Sequence, residues 1–175
     1  MEQTWTRVLV GAATAGLVAI DGLYLSIIHF QGEGEPGPPD VLTVPFVASY
    51  IAVMAVLLGA SLLSPASAKP ALRAAASSGL VVLGVLAAFS IGVLILIVAG
   101  LAIATTVAAL RSSSKPLVLV TSGVASLVAV MLLLGGFQFA WHYLVCPPTG
   151  SMGGTTAGFF GQVSYECNNG QLTTH

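Results

Sequence analysis

Residues 71–110 read ALRAAASSGLVVLGVLAAFSIGVLILIVAGLAIATTVAAL, forty residues with one charge, Arg73, near their start. Whether this stretch is one helix or two decides the fold. A single helix over 74–110 would be about 55 Å long at 1.5 Å per residue, against a hydrocarbon core of about 30 Å. One span would leave roughly 25 Å of apolar helix in water, more than tilt absorbs. Two spans of about 18 residues fit. They require a tight turn at Phe89-Ser90-Ile91-Gly92, where glycine tolerates the dihedrals of a sharp reversal.

A membrane is the expected solvent because the chain is 56% hydrophobic and only 6% charged, with a mean hydropathy of +0.97. A soluble domain carries about 25% charged residues. The net charge of -1 argues against nucleic acid, which demands a basic face.

Charge placement favours the hairpin. The basic residues are Arg7, Lys69, Arg73, Arg111 and Lys115. With two spans in 71–110, all of them fall on one side, which the positive-inside rule assigns to the cytoplasm. With one span, Arg111 and Lys115 would change sides, and both cysteines would face the reducing cytoplasm.

The whole chain then reads as an all-α five-helix transmembrane bundle with spans near 8–30, 41–63, 71–89, 93–110 and 117–144. Residues 1–145 form the membrane domain and 146–175 an exoplasmic tail. The first span is too long for the apolar core of a signal peptide, and Asp21 interrupts it, so it reads as a retained helix. QGEGEPGPPD (31–40) is an acidic Gly/Pro loop that no helix crosses. FQFAWHY (137–143) has the composition of an interfacial aromatic belt. The alanine-rich, lysine-poor composition points to a bacterial plasma membrane, with the N-terminus cytoplasmic and the C-terminus exoplasmic.

Cys146 and Cys167 are the two cysteines. Outside the cytoplasm they are expected to pair as a structural disulfide, stabilising a glycine-rich tail of little intrinsic order by about 3 kcal/mol. CxxC spacing is absent, and so is a basic neighbour that would make a redox thiol.

Asp21 is the most unusual residue in a span. A bare carboxylate there is costly, so it must be neutral or accept hydrogen bonds. Tyr24, one turn away, and Ser49 and Tyr50, at similar depth on the second span, are the expected partners. The functional alternative is a carboxylate that handles protons or a ligand, as in a small transporter or channel. His29 and His142 fall at matched outer depth and would suit a shared haem or metal, although an aromatic belt also explains His142. Asp21, Tyr24, His29, Ser49, Tyr50, Gln138 and His142 therefore outline an outer-face polar pocket for a small ligand or a partner's side chain. Thr105, Thr106, Thr121, Ser122 and Ser126, in the inner half, are expected to bond back to their own helices.

Gly11, Ala12, Ala15 and Gly16, and Gly100, Ala104 and Ala108, follow small-xxx-small spacing. Internal bundle packing is the expected use, with homo-oligomerisation or a membrane-protein partner as the alternative. HExxH, GxSxG, P-loop and paired-carboxylate motifs are absent, so the expectation is a non-enzymatic accessory or binding protein.

Gly22-Leu23-Tyr24-Leu25-Ser26-Ile27-Ile28-His29 resembles part of the first helix of vitamin K epoxide reductase-like proteins. That family's catalytic CxxC and loop cysteines have no counterparts here, so no activity is carried over.

Overall fold

The computed structural model describes residues 4–32, 42–111, 116–158 and 161–174, with backbone alone at 31–32, 141–142, 156–158 and 161–163. Most of the acidic loop, Lys115, Phe159-Phe160 and His175 lie outside the described residues.

Among the described residues, five helices are long and apolar enough to cross a membrane. They are α1 (Thr4–Gly32), α2 (Thr43–Leu63), α3 (Lys69–Leu86), α4 (Gly92–Arg111) and α5 (Pro116–His142). The forty-residue stretch is therefore two helices, reversing over 87–91. The chain divides into two compact units, Met1–Ser26 with Ala48–Leu133, and Ile27–Val47 with Leu134–His175.

Glycine serves the turn through space rather than dihedral freedom. Gly92 does not adopt a positive φ. A Cβ at Gly92 would instead collide with the backbone of Gly84 and Ala87, and one at Gly84 would meet Leu96 at 2.8 Å. The expected turn holds, but for a steric reason. Backbone bonds from Ser90 N and Gly92 N to the Ala87 carbonyl close it, at 2.9 and 2.8 Å.

In the first unit the core is a set of interlocked stripes. Val10, Ala13 and Leu17 of α1 recur at helical spacing and are fully buried, as are Ile51 and Leu58 of α2, Leu80 and Leu83 of α3, and Ile95 and Ala102 of α4. Close approaches set the helix neighbours. A Cβ at Gly59 of α2 would lie 3.6 Å from Thr14 of α1, and one at Gly16 of α1 would lie 3.3 Å from Val98 of α4. Ser78 of α3 donates to the Ser126 carbonyl of α5 at 3.3 Å. These levels bring the helix ends carrying Arg7, Lys69, Arg73 and Arg111 to one end of the unit.

Arg73 departs from a solvated cation. It is 1% exposed, and its Nε donates to Ser61 Oγ of α2 at 3.1 Å. The outward faces carry large apolar side chains instead, including Val18, Leu23, Val56, Ile97, Leu127 and Met131.

The small-residue stripes differ in their surroundings. Gly16 packs against α4. Gly100 and Ala104 lie on the exposed face of α4, and a Cβ at Gly100 would meet nothing within 4 Å.

The C-terminal segment corrects an all-α reading. It forms a three-stranded antiparallel sheet, β1 (Ser151–Gly158), β2 (Gly161–Asn168) and β3 (Gln171–Thr174), in the order β1-β2-β3. Asn169 and Gly170, both at positive φ, make the turn between β2 and β3, the residue pair that a two-residue hairpin prefers. Asn169 also brackets Gly150: its N–H donates to the Gly150 carbonyl at 2.9 Å, and its Oδ1 accepts from the Gly150 N–H at 3.2 Å. Tyr165 pairs with Gly154, and its ring fills the space a side chain there would need.

Candidate functional site

The disulfide expected from the cysteine pair is present. Cys146 and Cys167 are bonded, with Cα atoms 5.5 Å apart. Cys146 lies between α5 and β1 and Cys167 near the end of β2, so the bond ties the middle strand to the chain just after α5. Cys167 is fully buried. Around it β2 alternates, Ser164, Glu166 and Asn168 being exposed while Tyr165 and Cys167 are covered. A shallow depression of about 340 Å³ lies between β1 and β2, bordered by Met152, Tyr165 and Glu166.

The residues proposed for an outer polar pocket are distributed over both units. Asp21, Tyr24, Ser49 and Tyr50 belong to the first, and His29, Gln138 and His142 to the second. The expected bonding of Asp21 to the second helix is corrected. Tyr50 is buried, and its hydroxyl donates to the Ala129 carbonyl of α5 at 2.9 Å. Asp21 Oδ1 is buried and accepts no hydrogen bond among the described residues. Tyr24 is half-buried and Ser49 is exposed. His29 is exposed, its ring 6.0 Å from that of Phe30. The His142 side chain, and with it the proposed His29–His142 pairing, lies outside the described residues. No group of three His, Cys, Asp or Glu side chains able to hold a metal occurs among the described residues.

A different site emerges in the first unit. A groove of about 560 Å³ runs between α3, α4 and α5. Its walls are mainly apolar, with Val81 and Val82 from α3, Ile103 and Leu110 from α4, and Leu119 and Val130 from α5. Hydroxyls punctuate it: Ser77, Ser78, Thr106, Ser122 and Ser126 all line it. Backbonding explains three of them. Ser77 donates to the Ala74 carbonyl at 3.2 Å, Ser78 to the Ala75 carbonyl at 3.1 Å and Thr106 to the Ala102 carbonyl at 2.8 Å. Ser122 is the exception, 4% exposed with an Oγ that has no hydrogen-bond partner among the described residues. Gly123 lines the same groove, and a Cβ there would meet nothing within 4 Å.

Sequence reasoning missed the groove because its hydroxyls come from three separate helices. A serine in an apolar helix ordinarily bonds to its own backbone, so only the folded arrangement singles out Ser122.

Comparison with protein-family models, curated proteins and solved structures finds no match to this chain.

Proposed function

We propose that this chain is a five-span integral membrane protein of a bacterial plasma membrane, with its N-terminus in the cytoplasm. It acts as a non-enzymatic accessory or binding protein that presents its disulfide-closed sheet to a partner on the exoplasmic side. The observation that carries the reading is the Cys146–Cys167 bond, which belongs in an oxidising compartment. Support comes from the outward apolar faces of the helices, which suit lipid rather than water, and from basic residues clustered at helix ends, as the positive-inside rule requires of a cytoplasmic face. The exposed Gly100 and Ala104 of α4 suit close contact with a partner helix or a second copy within the bilayer.

A photo-cross-linking residue at Leu172, exposed on β3, is expected to give a discrete protein adduct in intact cells. The same residue at Val56, on the outward face of α2, serves as the lipid-facing comparison. Absence of an adduct from both Leu172 and its neighbour Thr173 would remove the partner reading.

A second reading, a small transporter or channel using Asp21, is favoured by the unbonded Oδ1 of that residue, since intramembrane carboxylates mark proton and ion paths. Proteoliposome flux that survives Asp21→Asn unchanged would eliminate it.

A further inference from the structure

We propose that the groove between α3, α4 and α5 seats one acyl chain of an anionic glycerophospholipid, with an ester carbonyl accepting from Ser122. The proposal rests on the membrane reading above. Along α5 the groove extends from Leu119 to Val130, eleven residues or about 16 Å, and its apolar walls suit a single hydrocarbon chain packed at carbon contacts of about 4 Å.

Chemistry selects the rest of the ligand. Ser122 Oγ is a buried donor without a partner among the described residues, and leaving such a donor unsatisfied is costly. An ester carbonyl accepts from it, while the valine, isoleucine and leucine walls take the chain. The charge at the groove's end fits a phosphate. Leu110, which lines that end, is followed by Arg111, the exposed last residue of α4. The N-termini of α3 and α5 bring their positive dipole ends to the same level. Ser122 lies three residues, about 4.5 Å of helix rise, beyond Leu119. The glycerol carbons that separate a phosphate from an ester carbonyl span a comparable distance. Basic residues at the cytoplasmic surface also attract anionic lipid.

The full-length protein is incorporated into vesicles of phosphatidylcholine and phosphatidylglycerol at four to one, floated, extracted in mild detergent and weighed by native mass spectrometry. The expected result is one retained lipid per chain, with phosphatidylglycerol enriched over its share of the vesicle. Gly123→Leu, which fills the groove from a position where a Cβ meets nothing, is expected to reduce retention at least tenfold. Gly135→Leu, likewise open on the same helix and outside the groove, is expected to retain the lipid, and circular dichroism of both variants checks the fold. Ser122→Ala is expected to weaken retention about three- to tenfold, and Arg111→Gln to abolish the phosphatidylglycerol preference. Flotation without retained lipid, or equal retention in Gly123→Leu, overturns the groove proposal alone. A dimer that Gly123→Leu dissociates overturns it in favour of a second copy. Failure to float overturns the membrane reading and this proposal together.

Discussion

The hydroxyl of Tyr50 donates a 2.9 Å hydrogen bond to the Ala129 carbonyl, joining α2 to α5 across 79 residues of sequence. The approach of α3 depends on the same side chain. A Cβ at Gly79 would strike the Tyr50 oxygen and lie 3.1 Å from Met54 Sδ. Glycine at position 79 and a bonded tyrosine at position 50 are therefore one packing unit. Tyr50→Phe is expected to cost about 0.5–1.5 kcal/mol by loss of the bond. Gly79→Ala is expected to cost more, about 1–3 kcal/mol, by overpacking. In a double-mutant cycle, Tyr50→Phe should absorb part of the Gly79→Ala penalty, because the clash is with the oxygen that it removes. Thermal unfolding in detergent measures all three; strict additivity would contradict the coupling.

The α3–α4 reversal makes a sharper steric prediction. The atoms nearest a Cβ at Gly92 are backbone atoms of Gly84 and Ala87, which cannot rotate away as a side chain does. Gly92→Ala should destabilise the fold by about 1–3 kcal/mol. Gly100→Ala, with open space around the added methyl, should be neutral or stabilising by up to about 1 kcal/mol on helix propensity. Equal melting temperatures for the two variants would refute the close approach.

Ser61 links a buried cation to its own helix. Its Oγ donates to the Leu58 carbonyl at 2.7 Å and accepts from Arg73 Nε at 3.1 Å. Ser61→Ala removes the acceptor of the Nε–H of a guanidinium that is 1% exposed, and the expected loss is about 1.5–3 kcal/mol, the range for bonds to charged groups. Ser64→Ala is the comparison, since that hydroxyl, just past the end of α2, bonds the Ala60 carbonyl at 2.8 Å and no buried cation among the described residues. It should lose less.

Breaking the disulfide should act locally. Cys146 and Cys167 are 21 residues apart, and opening that loop removes about 3 kcal/mol on the chain-entropy estimate. Among the described residues of β2 only Cys167 is fully buried, so the sheet has little core of its own with which to compensate. Cys146→Ser with Cys167→Ser is expected to raise amide hydrogen exchange across β1 and β2 while exchange within α3 and α4 is unchanged. Persistent protection of Tyr165 and Glu166 in the double variant would show that the sheet stands without its staple.

The helices were readable in the sequence because length and apolar content alone select them, and a helix of forty residues has no place in a thirty-ångström solvent slab. The sheet was harder. β1, with Gly153 and Gly154, has the composition of a loop and relies on the Tyr165 ring for cover. Two signals were nevertheless present: the alternation from Gln162 to Asn168 and the Asn169-Gly170 turn pair. Asp21 was conspicuous, but its expected partner Tyr50 is committed to Ala129 through a contact that only three-dimensional packing creates. Arg73 contributed a charge to the sidedness argument, and its burial against Ser61 could not be seen from its position beside a loop.

Sidedness is tested most directly on intact cells with a membrane-impermeant maleimide, applied before and after an impermeant reductant. A five-span topology with an exoplasmic, disulfide-closed sheet predicts that Cys146 and Cys167 label only after reduction, without permeabilisation. Labelling that appears only once the cells are permeabilised would place the C-terminal sheet in the cytoplasm and contradict it.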